Sequence, residues 1–242
     1  MFPSAVCDNI AESMHLIMRY RLIVIVLFWL LTACTPQATA LLSLVPDGTV
    51  PILLSHFEGV SDSNRQRLAE LVQRGDWQGL AQFAEENLVR DRSNGDWWLI
   101  AGYAYSQLGQ YPRAIERYAE AVRLAPDEPT GWNLLAQAYR AAGQPERAVV
   151  TLNNALLIRP DSPATFYLLG ESYSDIGRPR PAVEAYQQAL KLNDEFAQAW
   201  FGMGRAYVRQ GRYAEAGEIV KVLEKLDPGL AAALAKLSSR RE

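Results

Sequence analysis

Glycine recurs in this chain at a fixed interval of 34 residues. The five positions are Gly75, Gly109, Gly143, Gly177 and Gly211. A period between about 20 and 50 residues is typical of stacked repeat proteins, in which each repeat packs only on its neighbours. The period therefore predicts a continuous core along a stack, and a single structural domain.

Residues 95–128 show what one repeat contains. Trp98, Ala101 and Tyr105 lie at the i, i+3, i+7 spacing of one helix face. Gly109 ends this helix, because glycine tolerates the left-handed conformation that closes a helix. A second apolar stripe follows, made of Ala114, Ile115, Tyr118, Ala121 and Val122. The unit is therefore predicted to be a helical hairpin.

Four units carry the pattern W-x2-L-G-x2-Y, then A-x3-F, then P, which resembles the tetratricopeptide repeat. The third unit has Asp194 in place of the proline. The first aromatic position is held by Trp98, Trp132, Phe166 and Trp200. The tyrosine and alanine positions are held by Tyr105, Tyr139, Tyr173, Tyr207 and by Ala114, Ala148, Ala182, Ala216. The fourth unit departs from the pattern at Val220 and Leu223, which suggests a terminal repeat. The resemblance implies an all-α fold, a right-handed α-solenoid of stacked antiparallel helix pairs.

This interpretation divides the chain into eight segments. They are a signal peptide (1–33, with Met18 as an alternative start), a tether (34–60), a degenerate N-terminal repeat (61–94), four complete repeats (95–128, 129–162, 163–196, 197–228) and a C-terminal capping helix (229–242).

The N-terminal segment has the layout of an export signal. Ten apolar residues, Leu22 to Leu31, follow Arg19 and Arg21; this is short for a bilayer-spanning helix, which needs about 20. Leu31-Thr32-Ala33-Cys34 resembles a bacterial lipobox, which implies cleavage before Cys34 and lipidation of that cysteine. The alternatives are an uncleaved signal anchor, or an ordinary signal with a bystander cysteine.

Thr35 bears on the destination of such a lipoprotein. Aspartate after the lipidated cysteine favours inner-membrane retention in Gram-negative lipoproteins, and Thr35 is not aspartate. The resemblance implies a lipid anchor in the outer membrane on the periplasmic side. Anchoring in the inner membrane is the alternative.

The residue types that commonly act in catalysis do not form a known catalytic motif in this sequence. The sequence contains no phosphate-binding glycine loop, no histidine–glutamate zinc motif and no nucleophile elbow. A net charge of −3 gives no support for nucleic-acid binding, and two cysteines form no disulfide framework. We therefore expect no enzymatic activity, no cofactor and no metal site.

Function is then expected in a surface. In the resembling family, the first helices of successive repeats line a concave groove that takes peptides. The positions carried over to this chain are Leu99, Tyr103, Gln107, Asn133, Gln137, Arg140, Tyr167, Glu171, Asp175, Phe201, Arg205 and Arg209. Each of them has an alternative role in packing between neighbouring helices.

The resemblance implies a lipid-anchored periplasmic scaffold that binds envelope proteins through this groove. Outer-membrane, pilus and peptidoglycan assembly are the pathways it suggests. The alternative is an accessory subunit of an envelope polysaccharide synthesis or export complex. The carboxylate clamp of co-chaperone members is not expected, because Leu99 and Tyr103 stand at its lysine and asparagine positions. The identity of the partner and the oligomeric state stay open.

Overall fold

The computed structural model describes residues 60–239, so the predicted signal peptide, Cys34 and nearly all of the tether lie outside the described residues. Within the described range the chain forms eleven α-helices and no strand. They are α1 (Asp62–Gln73), α2 (Trp77–Arg90), α3 (Gly95–Gln107), α4 (Tyr111–Leu124), α5 (Pro129–Ala141), α6 (Pro145–Ile158), α7 (Pro163–Asp175), α8 (Pro179–Leu192), α9 (Ala197–Arg209), α10 (Tyr213–Leu226) and α11 (Pro228–Ser239).

The periodic glycines make the turns inside the helix pairs. All five have positive φ, between 65° and 77°, a region that favours glycine because other residues clash there. After α3, the Gly109 amide donates to the Ser106 carbonyl (3.0 Å) and the Gln110 amide donates to the Tyr105 carbonyl (2.9 Å). These bonds satisfy carbonyls that the helix end leaves without partners. The 34-residue period is therefore a period of helix endings.

The tryptophans at the start of the repeats bond to the preceding loops. Each indole nitrogen donates to a carbonyl six residues earlier: Trp98 to Arg92 (2.9 Å), Trp132 to Pro126 (2.7 Å) and Trp200 to Asp194 (2.7 Å). A buried or half-buried indole usually finds such a partner. These bonds fix the loop between one helix pair and the next.

Consecutive helices pack on one another along the stack. The first helices of successive pairs also contact each other directly, α3 with α5, α5 with α7 and α7 with α9, and the second helices make no comparable contact among the described residues. In a curved stack the helices on the inner side approach more closely, so the first helices line the concave side. The predicted all-α fold of stacked helix pairs, an α-solenoid, is confirmed.

The last helix closes the stack. α11 packs against both α9 and α10, and its Leu234 is buried beside Gly204. Pro228, which the sequence places at the end of the fourth repeat, is instead the first residue of α11. The Asp227 carboxylate accepts from the Leu230 amide (3.0 Å). Proline is tolerated in a first helical turn because the N–H that it lacks would have no acceptor within the helix there.

None of the helices in residues 60–239 has the length and apolar character needed to cross a bilayer.

Candidate functional site

The twelve residues predicted from the repeat register all lie on the first helices of the four complete repeats. We call them the first-helix groove: Leu99, Tyr103 and Gln107 on α3, Asn133, Gln137 and Arg140 on α5, Tyr167, Glu171 and Asp175 on α7, and Phe201, Arg205 and Arg209 on α9. Because these helices contact one another, the groove runs across four repeats.

Charged residues connect three of the four helices. The Arg140 Nε donates to Asp175 (2.7 Å), and its Nη2 lies 3.4 Å from Glu171. On the other side, Arg205 Nη2 donates to Glu171 at 2.5 Å. We call these four residues the arginine–glutamate ladder. It connects α5, α7 and α9 through ion pairs, and removing one member of such a partly buried set would leave its partner's charge unpaired.

Glu171 lies at the centre of the ladder and accepts a further hydrogen bond from a residue of the second helix. The Tyr186 hydroxyl, on α8, donates to Glu171 Oε1 at 2.5 Å. Burial, and then the Glu171 carboxylate, raise the pKa of Tyr186 well above that of a free phenol. Burial, the largest single effect, lowers the pKa of Arg205, but the Glu171 carboxylate together with Tyr186 and Tyr167 raises the pKa overall. Tyr186 therefore stays a donor, and Arg205 a cation, across the physiological range.

Asn133 is placed differently from its neighbours. It is only 2% exposed, and its Oδ1 accepts a hydrogen bond from the Thr165 hydroxyl (3.0 Å). This bond joins α5 to α7 inside the structure. Asn133 therefore holds two repeats together in this state, while its predicted contact with a ligand stays a prediction.

The N-terminal end of the groove is apolar and aromatic. Leu99 and Tyr103 are half-buried, and the Tyr103 ring meets Trp77 edge-on at 5.8 Å between centroids. Gln107 is exposed at the end of α3. This end of the groove offers a ring edge, an aliphatic side chain and an amide.

The C-terminal end combines rings with cations. Tyr167 stacks obliquely on Phe196 at 5.1 Å, and burial, helped by Glu171, raises its pKa to about 12. The Arg205 guanidinium lies 5.4 Å from the centre of the half-buried Phe201 ring. Arg209 Nη1 donates to the Ser174 carbonyl of the preceding repeat (2.7 Å).

The groove therefore presents aromatic faces beside partly exposed charges. Arg140 and Arg205 keep 21% and 34% of their side-chain surface exposed, and Asp175 keeps 41%. Aromatic residues and arginine are enriched at binding hot spots, since they offer large contact area and several donors. This chemistry suits a peptide that supplies apolar side chains and backbone carbonyls.

Tyr186 and Thr165 support the groove, and both were missed by the sequence reasoning. Their side chains reach groove residues from positions that the repeat pattern assigns to the core or to helix contacts. One signal was available: positions 118, 152, 186 and 220 hold Tyr, Leu, Tyr and Val, so a hydroxyl appears only in the first and third repeats. Such a hydroxyl needs a polar partner once it is buried.

Two family models, both described as tetratricopeptide repeat, match the chain at residues 105–171 and 167–231. Together they span more than half of the sequence. A comparison with curated proteins finds no match.

Solved structures share the fold over most of their length. MamA 41-end from Desulfovibrio magneticus RS-1 aligns with a TM-score of 0.60 and 20% identity, over 75% of this chain and 97% of that solved chain. TTC0263, a thermophilic TPR protein in Thermus thermophilus, gives 0.57 and 22%, over 71% and 95%. YrrB, a TPR protein with an unusual peptide-binding site, gives 0.56 and 16%, over 78% and 99%. Two family models and a shared fold agree with the repeat pattern: the chain belongs to the tetratricopeptide repeat family.

Proposed function

We propose that this protein is a lipid-anchored periplasmic adaptor that binds envelope proteins through the first-helix groove. The observation that carries the binding part is the continuity of the groove across α3, α5, α7 and α9, with aromatic and charged side chains partly exposed along it. Such a surface presents hot-spot residue types on rigid helices, which lowers the entropy lost on binding.

The similarity to YrrB supports a peptide as the ligand. YrrB is described as a TPR protein with an unusual peptide-binding site, and it shares the fold of this chain. The role of a non-enzymatic adaptor in outer-membrane, pilus or peptidoglycan assembly extends this reasoning. It rests on the N-terminal sequence and on the family.

The groove proposal needs variants that spare the fold. Tyr167 packs on Phe196, and Arg205 pairs with Glu171, so changing either also disturbs the contacts between repeats. Phe201→Ala combined with Gln107→Ala breaks no ion pair between repeats, and the two side chains lie at opposite ends of the groove, Gln107 exposed and Phe201 half-buried against the core.

A matched control changes similar residue types on the second helices. Leu157→Ala combined with Gln187→Ala alters α6 and α8, where Leu157 is 84% exposed and Gln187 is exposed. After in-cell crosslinking and affinity purification, we expect the groove variant to lose crosslinked envelope proteins and the control to keep them. Equal recovery from both variants, with both folded by circular dichroism, would overturn the groove proposal.

The anchor is tested separately at Cys34. The Cys34→Ser variant has no thiol to acylate, and each buried acyl methylene contributes about 0.8 kcal/mol to membrane binding. We expect the protein to move from the membrane fraction to the soluble periplasmic fraction. Retention in the membrane fraction would contradict lipid anchoring and leave the groove proposal untouched.

A further inference from the structure

Four arginines surround a pocket at the edge of the stack. The pocket lies between the α7–α8 turn and the α9–α10 turn, has a volume of about 620 Å³, and is lined by Arg178, Arg180, Arg209 and Arg212 together with Pro179, Pro181 and Gln210. Among residues 60–239, no carboxylate side chain lines it. We call it the arginine pocket.

Two of the four arginines have no partner in the part of the chain that the structure describes. Arg178 and Arg180 are exposed, and their guanidinium groups make no hydrogen bond or ion pair there. Arg212 pairs with Glu215 at 2.7 Å, and Arg209 bonds to a neutral carbonyl. Three of the four positive charges therefore remain uncompensated at the pocket.

Asp175, the groove carboxylate closest in sequence to the pocket, already has an arginine partner. Asp175 lies two residues before Gly177, at the end of α7, and already accepts from Arg140 at 2.7 Å. The charge of the pocket is therefore available to a ligand.

The walls of the pocket are fixed by the fold. Gln210 Nε2 donates to the carbonyls of Pro179 (3.3 Å) and Ala206 (3.2 Å), which connects the two turns. Pro179 and Pro181 restrict the backbone between the arginines, since the ring fixes φ. A site whose backbone is already ordered loses less entropy when it binds.

The repeat itself supplies a comparison that separates function from fold. The position of Arg178 is occupied by Gln110 and Gln144 in the first two repeats. There the glutamine accepts from Arg113 (3.1 Å) or Arg147 (3.0 Å), three residues later. The turn therefore forms without an arginine at this position, and packing does not explain Arg178. Arg212, at the same position of the fourth repeat, stacks on the Tyr207 ring at 4.4 Å.

The chemistry of the ligand follows from the guanidinium group. Arginine binds carboxylate or phosphate with two parallel hydrogen bonds, and several arginines together favour a ligand of two or more charges. A recess between two turns accepts side chains better than it accepts a flat bilayer surface. Arg209 belongs both to the pocket and to the first-helix groove, so the two surfaces are continuous.

We propose that the arginine pocket binds an acidic segment, with two or more Asp or Glu side chains, of the protein that occupies the first-helix groove. The inference rests on the proposed function, because it takes the occupant of the groove to be a protein segment. It adds that the segment is acidic and that it leaves the groove at the arginine pocket.

The test measures binding of a fluorescein-labelled glutamate hexapeptide to the detergent-solubilised full chain, by fluorescence anisotropy at about 0.1 M ionic strength, where the Debye length is about 10 Å. A glutamine hexapeptide is the uncharged probe. Arg178→Gln combined with Arg180→Gln is the main variant, since glutamine is the residue that the first two repeats carry at the position of Arg178. We expect about five- to tenfold weaker binding of the acidic peptide, as exposed charge pairs each contribute modestly.

The control removes the same charge elsewhere. Arg90→Gln combined with Arg159→Gln changes two exposed arginines outside the pocket and should leave the affinity within about twofold, because charges beyond roughly 10 Å are screened even at moderate salt. An equal loss in both variants would show a general charge effect and overturn the pocket. Equal binding by the main variant and the unchanged protein would also overturn it.

Two further outcomes separate this proposal from its alternatives. Vesicles of phosphatidylglycerol test a membrane as the occupant: if the main variant loses vesicle binding and keeps peptide binding, the acidic-segment proposal fails. If the main variant keeps peptide binding and Phe201→Ala with Gln107→Ala loses envelope partners, the pocket fails and the groove proposal stands. If the groove variant keeps its partners while the main variant loses the peptide, the groove proposal fails and the pocket remains an anion site.

Discussion

The second and third repeats have the same fold and fill their interiors differently. In the second repeat, Ala136 on the first helix is in register with Gly170 of the third, and Leu152 on the second helix is in register with Tyr186. An added Cβ at Gly170 would lie 2.6 Å from the Tyr186 ring, so the larger ring needs the smaller partner. The combined volume of the two side chains is therefore roughly the same in both repeats, as close-packed interiors require.

The difference also reaches the surface. The Leu152 side chain ends in methyl groups, but the Tyr186 hydroxyl donates to Glu171 and so supports both arginines of the ladder. In the second repeat the position of Glu171 is held by Gln137, which carries no charge. A core tyrosine therefore connects the interior of the third repeat to the charges of the groove. The comparison teaches that one substitution in a repeat changes both the packing of the core and the hydrogen bonding of the charges on the first helices.

The largest expected effect comes from giving the third repeat the residue of the second. Tyr186→Leu leaves a space beside Gly170 and beside Gly202, whose added Cβ would also meet the ring at 2.6 Å. We expect the free energy of unfolding, measured by urea titration, to fall by about 3 kcal/mol, in the range of large-to-small core changes. A loss near zero would show that neighbouring side chains close the space.

A second change tests whether position 170 needs glycine because the Tyr186 ring occupies the space of a larger side chain. Gly170→Ala alone should destabilise by about 1 to 3 kcal/mol, because the methyl group overlaps the Tyr186 ring. In the Tyr186→Leu background, the same change should stabilise, since it recreates the Ala–Leu pair and alanine favours helix. A double-mutant cycle measures this coupling. Additive effects would contradict the size argument.

The Tyr186 hydroxyl can be removed without changing the aromatic ring. Tyr186→Phe should lower the free energy of unfolding by about 1 to 2 kcal/mol, because Glu171 loses a donor while it stays largely buried. The matched control is Tyr118→Phe in the first repeat, whose hydroxyl lies 3.5 Å from the Ser106 hydroxyl and contacts no carboxylate in the described hydrogen bonds. Equal losses in the two variants would mean that the bond to Glu171 adds nothing specific.

The smallest expected effect near neutral pH comes from the ionisation of the Tyr167 phenol, which lowers stability only at high pH. Burial raises the pKa of Tyr167 to about 12 from the ordinary value near 10, so folding favours its protonated form. Its contribution to stability is complete below pH 10 and is lost as pH rises through about 12. We expect thermal stability to fall over this interval, and Tyr167→Phe to reduce the slope. An unchanged slope would show that Tyr167 ionises equally well in the folded chain.

The repeat architecture could be predicted from the sequence because its signals are local. Gly109 ends a helix and Trp98 begins an apolar stripe whatever the neighbouring repeats contain. The positions on the first helices were available for the same reason, since register alone places Arg140 and Glu171 on them. Because the repeats are equally spaced, the position assigned to a residue in one repeat could be compared with the same position in the others.

The tertiary structure decided which of these side chains meet. Whether Arg140 faces Glu171 or Asp175, whether Asn133 is buried against Thr165, and whether Tyr186 reaches the groove depend on the distance and tilt between packed helices, which no local pattern encodes. The same holds for Arg178 and Arg209, which lie in different repeats and line one pocket only after the turns are stacked. The sequence by itself determined the helices and their order, because each helix end is coded in its own few residues; the contacts between repeats determined the charges and shapes that a partner meets.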